Sequence, residues 1–157
     1  MQPTAIYPGS FDPITNGHVS IIKRALRIFD KVIIAVSEND AKGPLFSLEE
    51  RVAMVTALNL DRIEVIPFKG LLVDLCVEKD VSVMIRGLRA VSDFEYELQL
   101  ALANRRMNRD IETIFLMTDY KYSFLSSSMI KDMARYAGSI DGLVPEHVKI
   151  ALQERFK

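Results

Sequence analysis

The chain has 157 residues, 49% hydrophobic and 26% charged, a globular balance that excludes wholesale disorder. Twenty Lys and Arg against 21 Asp and Glu give a net charge of −1, which excludes bulk electrostatic attraction to nucleic acid or anionic membrane but not a local basic pocket. The lone Cys76 excludes a disulfide framework and a thiolate metal cage, and no apolar run approaches the roughly 18 residues of a membrane span.

Residues 4–7 (TAIY) read as a first strand, followed by a helix with Val19, Ile22, Leu26 and Phe29 on its apolar face. A second strand over 31–37 (KVIIAVS) precedes a helix marked by Leu48, Val52, Val55 and Leu58, and Ser47 with Glu50 fits a capping box at its start. A third strand is expected over 63–68, then a shorter helix with Leu72, Leu75 and Cys76, then a fourth strand over 81–86. The next helix runs from Phe94 to Met107, with Leu98, Leu102 and Met107 on one face and a capping box at Ser92 and Glu95. A fifth strand is expected over 111–117. Gly138 suits the left-handed stop of the following helix, and Pro145 suits the first turn of the last.

Five short strands alternating with helices predict an α/β fold: a Rossmann-like parallel five-stranded sheet with helices on both faces and right-handed crossovers. The absence of a linker, repeat or low-complexity tract predicts one domain over residues 1–157. The amino-terminal MQPTAIYPG has neither a basic stretch nor a signal-type apolar core, so a cytoplasmic protein is expected.

Ligands of such sheets bind beyond the carboxyl ends of the strands, where the strand order reverses. The residues after the first strand, Pro8-Gly9-Ser10-Phe11-Asp12-Pro13-Ile14-Thr15-Asn16-Gly17-His18, match neither the dinucleotide fingerprint nor the P-loop. They still bring a hydroxyl and an imidazole to a helix N-terminus, where free amides attract phosphate. The plain alternative is a turn-rich connection with His18 in a capping role. Lys42 follows the second strand, Arg86 and Arg89 the fourth, and Tyr122 with Ser126-Ser127-Ser128 the fifth. Each cation taken singly reads as a solvated charge. Together they would place cations, an imidazole and two helix starts on one sheet edge, suited to a nucleoside triphosphate.

These residues carry a resemblance. GSFDPITNGH is similar to the signature of the nucleotidylyltransferase superfamily, whose T/H-x-G-H motif stands here as Thr15-Asn16-Gly17-His18. SSSMIK looks like its second motif, and IRGLRAVSDFEYELQLALANR, residues 85–105, resembles one branch, the bacterial phosphopantetheine adenylyltransferases. The resemblance covers essentially the whole chain. It implies adenylyl transfer from ATP, accompanied by Mg²⁺, to 4′-phosphopantetheine, giving dephospho-coenzyme A and pyrophosphate. It also implies a homohexamer and feedback binding of coenzyme A, with no protein metal ligands assigned and neither nucleic acid nor membrane as partner. The acceptor's own phosphate would be the nucleophile, attacking in line without a covalent intermediate, so donors and cations are needed rather than a general base.

By the same resemblance His18, Lys42 and Ser10 are the catalytic positions. Lys42, Arg86 and Ser10 would hold acceptor phosphate, with Leu72 lining the pantetheine channel. Ser10, Phe11, His18, Gly87, Leu88, Arg89 and Glu97 fall at ATP positions, as do Tyr122, Ser123, Phe124, Leu125, Ser126, Ser127 and Ser128. Asp12 is read as shaping its loop, with water-mediated Mg²⁺ contact as the alternative; His147 reads as a capping or solvated side chain and Cys76 as core. Lys131 is a secondary candidate for phosphate. The competing functions are a transferase of the same fold using a nicotinate or nicotinamide mononucleotide, or a phosphoalcohol with CTP; a non-catalytic nucleotide sensor; and an interaction scaffold.

Overall fold

The computed structural model describes residues 3–38 and 43–157, so Lys42 lies outside the described residues. In chain order the elements are β1 (Thr4–Gly9), α1 (Asn16–Ala25), β2 (Lys31–Ser37), α2 (Leu48–Thr56), β3 (Ile63–Phe68), α3 (Leu72–Glu78), β4 (Val83–Leu88), α4 (Val91–Met107), β5 (Glu112–Met117), α5 (Ser127–Arg135) and α6 (Glu146–Arg155). The strands form one parallel sheet in the order β3-β2-β1-β4-β5, the Rossmann-like α/β arrangement expected. Connections run outward from β1 to β2 and β3, then return to β4 on the other side, so the order reverses between β1 and β4.

Alternation along the strands builds two cores. Ala5, Val32, Ile34, Val36 and Ile85 pack with Ile21 and Ile22 of α1, Val55 of α2, Ile130 of α5 and Val148 of α6. Ile6, Ile33, Ala35 and Met84 face the other way, onto Val73, Leu75 and Cys76 of α3. Burial on both faces explains why β1 and β2 read as nearly continuous apolar runs. Burial also pushes the Cys76 thiol up to about 11, as befits a core residue. No described helix is long and apolar enough to cross a membrane.

Some boundaries differ from expectation. Pairing of Gly87 with Leu116 and Leu88 with Met117 carries β4 beyond residue 86, so Arg86 stands inside the strand and Arg89 just after it. The helix expected to be capped at Ser92 starts earlier, from an N-cap at Ala90 without a side-chain bond. Its Leu98, Leu102 and Met107 are exposed, so this apolar face does not enter either core. At the end of α5 the left-handed residue is Ala137, with φ 56°, not Gly138. The Gly138 N–H donates to Met133 O at 2.8 Å and the Ala137 N–H to Ala134 O at 3.2 Å, a Schellman closure. Pro145 is the N-cap of α6, one position before its first turn. The capping box at Ser47 and Glu50 forms as expected.

Candidate active site

A cavity of about 450 Å³ opens at the reversal of strand order, between the carboxyl ends of β1 and β4 and the N-terminal turns of α1 and α5. Its wall at β1 is set by a tight local fit. Phe11 adopts φ 48°, a left-handed conformation that non-glycine residues rarely take. Its buried ring meets Tyr7 and His18 edge to face, with centroids 5.4 and 5.2 Å apart. A Cβ on Gly9 would stand 3.0 Å from that ring, so a side chain there would require the ring to give by a few tenths of an ångström.

His18 is the third residue of α1 and closes a capping box with Thr15. The Thr15 backbone N–H donates to His18 Nδ1 at 3.0 Å, and the Thr15 hydroxyl oxygen accepts from the His18 N–H at 3.4 Å. Because Nδ1 accepts, the neutral ring carries its proton on Nε2, which remains the donor of a side chain lining the cavity. Burial, reinforced by the Arg89 charge, pushes the imidazole pKa down to about 4, so His18 is neutral at pH 7. The capping reading and the site reading are therefore compatible.

The two arginines are held by carboxylates. Arg86 Nε and Nη2 donate to the two oxygens of Glu97, each at 2.7 Å, and Nη1 reaches Pro8 O at 3.4 Å. Burial pulls the Arg86 pKa down, but the Glu97 carboxylate outweighs it and holds the guanidinium above its ordinary value. Glu97 is 8% exposed and directs both oxygens to Arg86, which makes it an orienter of that cation. Arg89 Nη1 donates to Leu125 O at 2.9 Å and its Nε to Asp93 at 3.1 Å, tying the end of β4 to the entry of α5. Gly87 lies where a Cβ would meet the Ile21 side chain at 3.3 Å, so β4 passes closely under α1.

The serines divide. Ser126 is the N-cap of α5 and accepts from the Met129 N–H at 3.1 Å. Ser127 donates to Pro13 O at 2.9 Å, fastening α5 to the β1–α1 connection. All three serines line the cavity beside the first-turn amides of α5, which have no intrahelical acceptor.

Of the expected positions, Ser10, Phe11, His18, Arg86, Gly87 and Arg89 line the cavity, as do Glu97, Leu125 and Ser126 to Ser128. Leu88, Ser123 and Phe124 do not. Tyr122 instead lines a neighbouring groove with Asn16, Lys23, Arg24, Arg27 and Lys121. Leu72 packs at the margin of the α3 core. Asp12 has the loop-shaping role: its carboxylate accepts from the Leu45 and Phe46 N–H groups at 3.0 and 2.9 Å and from Lys131 at 2.8 Å. Lys131 is thereby an anchor for Asp12. His147 Nε2 lies 2.8 Å from Met54 O, a structural contact.

Sequence reasoning missed Asp93 and Thr118 of the cavity lining, and three further residues. Tyr7 and Tyr96 line the cavity, and Arg51 is buried behind it. Tyr7 was concealed by its place in an apolar strand. Arg51 was not: it is three residues after Leu48 and four before Val55, on the apolar face of α2.

The cytidylyltransferase-like family profile matches residues 6–133. A phosphopantetheine adenylyltransferase from Dictyoglomus turgidum is 54% identical over 155 residues, covering 98% of this chain and 97% of its own. One from Thermodesulfovibrio yellowstonii is 54% identical over 160 residues, covering 100% and 99%. Among solved structures, a Vibrio parahaemolyticus protein assigned as a nicotinate-nucleotide adenylyltransferase superposes with a TM-score of 0.70, covering 98% of this chain and 99% of that one. At 15% identity that likeness carries the fold and not the acceptor. With near-complete coverage at more than half identity, the chain belongs to the phosphopantetheine adenylyltransferase family of nucleotidyltransferase enzymes.

Proposed function

We propose that this enzyme transfers the adenylyl group of ATP to 4′-phosphopantetheine by one in-line displacement. An acceptor phosphate oxygen attacks the α-phosphorus, its new P–O bond forms as the bond to the β-phosphate bridge breaks, and the electron pair leaves with pyrophosphate. No proton has to be removed from the nucleophile. One observation carries this reading: among the described residues the two carboxylates that line the cavity are each held by a cation, Glu97 by Arg86 at 2.7 Å and Asp93 by Arg89 at 3.1 Å, and Asp12, two residues beyond Ser10, is held by Lys131 at 2.8 Å. What faces the ligand is therefore a set of donors, suited to charge that develops on phosphorus oxygens.

His18 Nε2–H donates to the α-phosphate, and Ser10 and Arg86 receive the acceptor phosphate together with Lys42. Gly87, Arg89 and the start of α5 hold the triphosphate. Because the nearby carboxylates are engaged, Mg²⁺ enters as MgATP, its ligands coming chiefly from phosphate and water. Coenzyme A, which contains the product's whole framework, binds the same cavity as a feedback ligand. The exposed apolar side chains of α4, with Leu102 at 59% and Tyr96 at 63%, favour self-association into the homohexamer. The protein acts as one domain in the cytoplasm.

The test of the single displacement is stereochemical. With ATP made chiral at an isotopically labelled α-thiophosphate, the product should show inversion at phosphorus. Retention would require two displacements and an adenylylated enzyme.

A further inference from the structure

Arg51 lies in the first half of α2, yet only 2% of it is exposed. Its Nε donates to Phe46 O at 3.1 Å, and its Nη1 donates to Ser10 O at 2.7 Å and Ser37 O at 2.8 Å. Among the described residues its hydrogen bonds all end on backbone carbonyls, and none of the ion pairs includes it. Those carbonyls lie at three separate points of the chain. Ser10 is in the one leaving β1, Ser37 ends β2, and Phe46 closes the connection from β2 to α2. Asp12, two residues beyond Ser10, takes the Phe46 N–H at 2.9 Å. Phe46 is thus held at its N–H by one loop and at its carbonyl by Arg51, and the same guanidinium ties Ser10 to the end of β2.

A buried arginine is a poor choice for filling space, since an apolar side chain of similar volume often serves stability as well or better. Its particular gift is a rigid fork of donors that fixes several acceptors at once. We infer that Arg51 is a positioning residue for adenylyl transfer, holding Ser10 and the phosphate-facing wall of the cavity in register with the connection that leaves β2. This rests on the reading of that cavity as the reaction site. Reacting groups must be held to about half an ångström, and a displacement of about 1 Å can lower turnover by roughly a hundredfold.

Arg51→Lys and Arg51→Met test the inference beside His18→Ala, with kcat and both KM values measured at a temperature where circular dichroism shows each variant folded. Lysine keeps the charge but loses the fork, and methionine keeps apolar bulk. The expected result is a fall in kcat of ten- to a hundredfold in both Arg51 variants, with KM for ATP within about threefold of the parent. A kcat within twofold of the parent in folded Arg51→Lys, with His18→Ala inactive, would overturn the inference and leave the site reading standing. Failure of both Arg51 variants to fold would also overturn it, assigning Arg51 to the core. A fully active His18→Ala would overturn the site reading itself.

Discussion

Replacing Glu97 by Gln separates two accounts of that residue. The family resemblance places it at ATP, whereas the structure shows both its oxygens on Arg86 at 2.7 Å. Gln keeps the shape but turns an amide donor toward a guanidinium that has only donors. The Arg86 and Glu97 side chains are 27% and 11% exposed. Removing one partner of a fully buried pair costs about 3–5 kcal/mol, and exposed pairs are worth roughly 0–1 kcal/mol, so about 2 kcal/mol is expected here. For a chain of this size that lowers Tm by roughly 4–8 °C. Arg86, no longer oriented, should bind the acceptor phosphate about tenfold less well, the equivalent of about 1.4 kcal/mol. Initial rates with each substrate varied against the other held saturating give the two KM values, and thermal melts followed by circular dichroism give Tm. The reasoning predicts a raised acceptor KM with KM for ATP nearly unchanged. A raised KM for ATP with acceptor KM unaltered would refute it and return Glu97 to the nucleotide.

Two other expectations concern the His18 corner. Because the folded pKa of His18 is lowered from 6.5 to about 4, the unfolded chain binds more protons between those values. His18 therefore withdraws stability as pH falls through that window, by at most ~2 kcal/mol between pH 7 and 5, and His18→Gln should flatten the slope of urea-unfolding stability there; an unchanged slope would contradict the burial of the imidazole. Gly9→Ala places a Cβ 3.0 Å from the Phe11 ring, which itself packs on His18. It should destabilise the protein by about 1–3 kcal/mol and lower kcat more than either KM, and steady-state kinetics with unaltered kcat would show that the ring moves without disturbing His18.

The strand-helix alternation was legible because period-2 and period-3.6 patterns are local. The carboxyl end of β4 was not, since Arg86-Gly87 resembles the end of an apolar run and only pairing with β5 shows that the strand continues to Leu88. Gly138 attracted the left-handed assignment on propensity, while Ala137 takes it because the Met133 and Ala134 carbonyls recover their hydrogen bonds there. At the site, the T-x-G-H turn brings His18 to the cavity at the start of α1. The Arg86–Glu97 fork, the Arg89–Leu125 tie and the Ser10 and Ser37 carbonyls on Arg51 join residues 11 to 41 positions apart, beyond any local spacing rule. The apolar residues of α4 read as core-facing because periodicity identifies an apolar side but not what covers it.

The most direct test of the central claim is a product assay with MgATP and a panel of acceptors: 4′-phosphopantetheine, nicotinate mononucleotide, nicotinamide mononucleotide and glycerol 3-phosphate, the last also with CTP. Pyrophosphate and the nucleotide product are both resolved. The account predicts dephospho-coenzyme A with 4′-phosphopantetheine and no nucleotide product with the others. Turnover of a different acceptor, or no turnover of 4′-phosphopantetheine by folded protein that binds ATP, would contradict it.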